Sequence, residues 1–113
     1  MKTLHRAFVV TVLAFCASHV TAQKGNLITA IGDPNCERWV TQKLPQDRSW
    51  FMGYLSGFNG GLLTLGKGTL GDPLSKLGPS DQAILWMDNY CKANSLKTVG
   101  EGAQILFLEI FKR

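Results

Sequence analysis

Apolar residues recur at helical spacing in four stretches of the chain. Phe51, Tyr54, Leu55, Phe58 and Leu62 fall at i, i+3, i+4, i+7 and i+11, which predicts an amphipathic helix opening at Asp47 or Ser49. Upstream, Asp33-Pro34 reads as a helix cap followed by a first-turn proline. Cys36, Trp39, Val40 and Lys43 follow at helical spacing, and that helix should end near Leu44-Pro45. A third helix is expected from Ser80 as cap, with Asp81 in its first turn. Ile84, Met87 and Cys91 line one of its faces, with Leu85 and Trp86 beside them, and it should stop near Ala93-Asn94. The fourth, opening at Ser95, carries Leu96, Val99, Ala103, Leu106, Phe107 and Ile110 on one stripe, and Lys112-Arg113 suit its C-terminal end. The pattern predicts an all-α, small four-helix domain.

Glycine and proline punctuate this picture. Gly53 and Gly57 share a side of the second helix. Each interior glycine costs about 1 kcal/mol against alanine, so the pair predicts close approach by another backbone. Gly60-Gly61 should end or loosen the helix. Gly66 to Pro79 reads as a long loop with a turn at Gly71-Asp72-Pro73. Its Gly66-Lys67-Gly68-Thr69 lacks the full phosphate-loop pattern and a preceding buried strand. Gln23 to Gly32 reads as an extended lead-in, with Leu27 to Ile31 a short strand or an arm packed on the body.

Residues 1–22 have the form of a cleaved secretory signal. Lys2, His5 and Arg6 make a basic start, Ala7 to Ala17 is almost unbroken apolar, and Val20-Thr21-Ala22 supplies small residues for cleavage. The run falls short of the roughly 20 residues a membrane span takes. A lipid anchor at Cys16 would place Phe15 where a small residue is expected. Cleavage leaves a single helical domain, 23–113, expected to be soluble in the periplasm or secreted, with no membrane attachment. Losing Lys2 and Arg6 reduces twelve basic residues to ten, against eight acidic ones, a net charge of +2. Without a basic cluster, nucleic acid is not an expected partner.

Cleavage also changes the chemistry available. Both histidines, His5 and His19, leave with the signal, as does Cys16, so the remaining cysteines are Cys36 and Cys91. An even pair in an oxidising compartment is expected to close as a disulfide, although two buried free thiols would also satisfy the sequence. The spacing is not the C-x-x-C of a redox pair. A histidine-based triad is ruled out, and two isolated cysteines do not make a common zinc site. Asp81 with Asp88, and Glu101 with Glu109, lack any supporting motif and read as solvated helix faces. The expectation is a protein that is not an enzyme and uses no cofactor or metal. Aromatic residues are many for so small a domain. Most should build the core, while Trp50, Trp86 and Tyr90 fall outside the stripes and are candidates for a partner surface.

An export signal, a helix with Cys36-Glu37, Gly53-Tyr54 in the second helix, Cys91 late in the third and a basic-ended fourth helix together resemble the HdeA/HdeB family of small periplasmic proteins. The resemblance covers most of the mature chain. It implies a disulfide between Cys36 and Cys91, packing at Gly53-Tyr54, a homodimer at neutral pH and acid-triggered chaperone activity on client proteins. The glycine-rich loop and the Trp-rich helix starts depart from that family. Gly53-Tyr54-Leu55-Ser56-Gly57, followed by a late aromatic helix and an Ala/Leu helix, also resembles the Tai-type immunity proteins. Those are periplasmic helical proteins that block the peptidoglycan amidase toxins of type VI secretion. Tyr90-Cys91-Lys92-Ala93-Asn94 and the cysteine placement depart from that second pattern. Both resemblances imply a domain that binds another protein, a client or a toxin.

Overall fold

Helix α1 (Cys36–Gln42) begins two residues later than the sequence predicts. In the computed structural model, which describes residues 29–113 apart from Lys67 and Leu70, its cap is Asn35. The Asn35 side chain accepts from the Arg38 N–H at 2.7 Å. Asp33, the predicted cap, instead accepts from the Gly100 N–H at 2.7 Å. It thereby satisfies an orphan donor in the first turn of α4 (Val99–Phe111), where a negative charge is favoured. Pro34 and Lys97 complete the junction: Val99 N–H donates to the Pro34 carbonyl and Cys36 N–H to the Lys97 carbonyl, both at 2.9 Å. An isolated antiparallel bridge pairs Asn35 with Thr98. The start of α1 is thus tied to the start of α4, 60-odd residues along the chain. The predicted signal, 1–22, and Leu27-Ile28 of the lead-in lie outside the described residues. Of the predicted arm, Ile31-Gly32 forms a turn, and no strand forms among the described residues.

Lys43 ends α1 in the left-handed conformation, with φ of 51°. The chain enters α2 (Pro45–Leu65) directly, with proline at its N-terminus, ahead of the predicted start at Asp47 or Ser49. Asp47, in the first turn of α2, is buried, and both its carboxylate oxygens accept from the Arg38 guanidinium. Gly60 and Gly61 do not end this helix, which runs on to Leu65. Tertiary contacts on its other side carry it past the glycines. Phe58 packs edge-on against Phe107 at 4.9 Å. Buried Asn59 donates to Asp72 at 2.8 Å and accepts from the Leu74 N–H. The same asparagine organises the predicted loop, where Pro73–Lys76 forms a 3-10 helix with Pro73 buried.

Helix α3 (Ser80–Ala93) starts and stops where expected, but Pro79 holds the cap position and Ser80 is its first helical residue. Helix α4 opens after Thr98, not Ser95. Thr98 and Glu101 form a reciprocal capping box that accounts for two orphan donors at once. Leu96, predicted on the α4 stripe, lies in the preceding turn and is 99% exposed.

The core is where the four stripes meet. Trp39 of α1, Phe51 and Leu55 of α2, Ala83 and Met87 of α3, and Val99, Leu106, Phe107 and Ile110 of α4 are all buried. A disulfide joins Cys36 to Cys91, tying α1 to α3, and both residues are fully buried. Tyr54 accepts from Gln104 and Phe58 meets Phe107, so α2 and α4 lie side by side running the same way. Trp86 reaches Glu109 and Tyr90 lies over Gly102, so α3 runs opposite to α4.

Close approach occurs in α4 and not at the predicted glycines. A Cβ at Gly102 would lie 2.6 Å from the Tyr90 ring and 2.9 Å from Met87, whereas one at Gly53 or Gly57 would meet nothing within 4 Å. Opposite outcomes are therefore expected from one substitution. Gly57→Ala should raise stability by about 1 kcal/mol through helix propensity alone. Gly102→Ala should lower it, because the about 1–3 kcal/mol penalty of overpacking outweighs that gain. Urea unfolding of the two variants checks both signs.

Candidate functional site

Helix α2 carries an aromatic row along its flank. Trp50 stacks on Tyr54 at 5.0 Å, Tyr54 on Phe58 at 6.3 Å, and Phe58 meets Phe107. Trp50, Tyr54 and Phe58 stand four apart and so share one side of α2. Trp50 is half-buried, and its indole N–H donates to the Ile31 carbonyl at 2.9 Å, holding the lead-in against α2. Gly32, with φ of 73°, makes that turn under the indole.

The sequence groups Trp50, Trp86 and Tyr90 as partner-surface candidates; the structure divides them. Trp86 and Tyr90 stack on each other at 5.4 Å on α3. The Trp86 indole donates to Glu109 at 3.2 Å. Burial pushes the Tyr90 phenol above its ordinary pKa, and the negative charge of Glu101 adds to the shift. This pair is half-buried and engaged with α4, while Trp50 belongs to the α2 row.

Open apolar hollows follow that row. One of about 500 Å³ lies among Ala30, Ile31, Ser49, Trp50, Gly53 and Tyr54. A second, about 330 Å³, is lined by Gly57, Phe58, Gly61, Leu62 and Leu65. A third, about 210 Å³, is lined by Phe58, Leu62, Phe107, Leu108 and Phe111. The last two share Phe58 and Leu62 and so adjoin across these side chains, near the C-terminal ends of α2 and α4. Leu65 is 85% exposed and Leu108 56%, and Phe51 to Leu65 contains no charged residue. Gly57 and Gly61 line the second hollow and Gly53 the first, which gives all three a surface position in place of internal packing.

No family model, curated protein or solved structure matches this chain. Its chemistry is therefore argued from its own residues. Three of the four carboxylates singled out in the sequence have structural partners. Asp88 accepts from the Trp39 indole at 2.7 Å, Glu101 belongs to the α4 capping box, and Glu109 accepts from Trp86. Asp81 sits exposed in the first turn of α3. Among the described residues no three His, Cys, Asp or Glu side chains gather as a metal site, and no helix is long and apolar enough to cross a membrane. What the arrangement offers is an uncharged, concave apolar surface with rigid aromatic rings, suited to taking up apolar side chains of another molecule. The contributions of Leu65, Leu108 and Phe111 were not legible as site residues in the sequence. The available signal was the repeat Gly53, Gly57, Gly61, which leaves one side of α2 without side chains.

Proposed function

We propose that this chain is a non-enzymatic, exported protein-binding domain of the HdeA-like acid-stress chaperone type. The observation that carries the reading is the pair of adjoining apolar hollows on α2 and α4, with Leu65, Leu108 and Phe111 exposed at them. The acid component is supported by how the carboxylates are employed. Asp33 holds the start of α4, Asp47 holds Arg38, Asp72 holds Asn59 and Asp88 holds Trp39. A neutral carboxyl is a weaker acceptor than a carboxylate, so acid strong enough to neutralise these groups loosens the four contacts together. The charge of the mature chain also rises from +2 toward +10 as eight acidic groups are neutralised, and self-repulsion loosens the fold. Loosening would widen the apolar surface open to an unfolding client. The test is light scattering of an acid-labile client protein with and without the domain. Suppressed aggregation at about pH 3, with little effect at pH 7, is the expected result. Equal behaviour at both values would refute the acid switch.

The stacked row Trp50–Tyr54–Phe58 favours a second reading, a Tai-type immunity protein. Rings already fixed in place suit one fitted partner better than many clients. Capture of a single amidase at one-to-one yield from envelope extract, without client protection at pH 3, would select that reading.

A further inference from the structure

We propose that Asn59 is a latent deamidation site, closed by the fold, and that its conversion irreversibly releases the Pro73–Lys76 segment from α2. The inference goes beyond the protein-binding reading and does not depend on it. Asn59 is followed by Gly60 and Gly61. In such a dipeptide the glycine backbone nitrogen can attack the side-chain carbonyl carbon, Cγ, of the asparagine. The N–Cγ bond forms, the Cγ–Nδ2 bond breaks, and ammonia leaves with the proton of the glycine nitrogen. A five-membered succinimide results. Water then opens it at either carbonyl, giving an aspartyl or an isoaspartyl residue. The step is intramolecular and needs only the correct approach of two neighbouring groups. Glycine favours it twice: no Cβ shields its nitrogen, and its backbone turns freely into the ring geometry.

The fold withholds that approach. Asn59 and Gly60 lie inside α2, where the Gly60 N–H is bound into the helical ladder. The Asn59 side chain is buried and held at both ends. Its Nδ2 donates to Asp72 Oδ1 at 2.8 Å, and its Oδ1 accepts from the Leu74 N–H at 3.4 Å. The nitrogen that would leave is thus the one that holds Asp72. Conversion replaces this donor by a carboxylate, which has no hydrogen to give. Position 59 then keeps a buried negative charge facing Asp72, with only the long Leu74 contact to satisfy it. Asp72 is exposed and can turn to water, and the 3-10 helix that follows it is freed. An isoaspartyl product also inserts a backbone carbon into the ladder just ahead of two glycines. The helix end that the sequence predicts at Gly60-Gly61, overridden in the native chain by these contacts, then becomes the favoured one.

The experiment incubates the oxidised protein in mildly alkaline buffer, folded and in urea with the disulfide intact. Peptide mass mapping reads conversion and isoaspartate at Asn59. The expected result is conversion in urea and a rate about a hundredfold lower in the folded protein, since only chains open at α2 can react. Gly60→Ala should suppress conversion in urea; a Cβ there meets nothing within 4 Å, so the variant folds. Equal rates in the two states, or no conversion in urea, overturn the site. Asn59→Asp reads the release, as a lower urea midpoint and faster trypsin cleavage after exposed Lys76. If that variant does not fold, the double variant N59D/D72N decides, because it returns a donor opposite the new carboxylate and should recover folding. Unchanged midpoint and cleavage in Asn59→Asp, or no recovery in the double variant, overturns the release.

Discussion

Replacing Cys36 or Cys91 with serine lowers stability by about 4 kcal/mol, and the two single variants unfold alike. The bond closes a chain separation of 55 residues that contains the rest of α1, all of α2, the 3-10 helix and most of α3. Without it the unfolded chain regains the entropy of that whole loop, and the logarithmic dependence on loop length gives the stated figure. A domain of this size has a total stability of only about 5–15 kcal/mol, so the loss is a large share of it. The folded state also suffers. A seven-residue helix has no independent stability in water, and Cys36 is its first residue. Equilibrium unfolding in guanidinium with and without reductant measures the effect. Intact mass after alkylation supplies the control: unreduced protein should take up no alkyl group at either cysteine, and uptake at both would refute the bond.

The parts of the fold that could be read from sequence are those set by local periodicity. The stripes of α2, α3 and α4 repeat every three or four residues, so the faces bearing Phe51, Met87 and Phe107 were identifiable without knowing what they touch. The disulfide was legible for a different reason: removing residues 1–22 leaves only two cysteines. The caps were not legible. Asp33, Asn35 and Ser80 are all good cap residues by type, and the decision among them depends on donors elsewhere, at Gly100 above all. The glycines were misread through the same gap. A helical glycine signals missing side-chain volume, but sequence does not say whether a neighbour fills the space, as Tyr90 does at Gly102, or leaves it open, as at Gly57. The candidate site shares that ambiguity. Phe58 and Leu62 read as core positions, yet both are only half-buried and line open hollows.

Trp39→Ala should cost about 3–5 kcal/mol, close to the effect of breaking the disulfide, although it lies three residues away on the same short helix. Trp39 is 3% exposed, meets Phe51 of α2 edge-on at 5.6 Å and donates its indole N–H to Asp88 of α3 at 2.7 Å. It is the side chain through which α1 touches two other helices at once. Trp39→Phe separates the two components. It keeps most of the ring volume and removes the donor, and because Asp88 is half-buried and can turn to water, the expected loss is about 1–2 kcal/mol. The remaining difference measures packing. The double variant C36S/W39A should lose less than the sum of the single losses, since both act by holding one seven-residue helix in place. Once the disulfide is gone and α1 is loosened, little of the Trp39 contact is left to remove. Guanidinium unfolding of the four proteins completes the cycle, and strict additivity would show that α1 stays docked through one anchor alone.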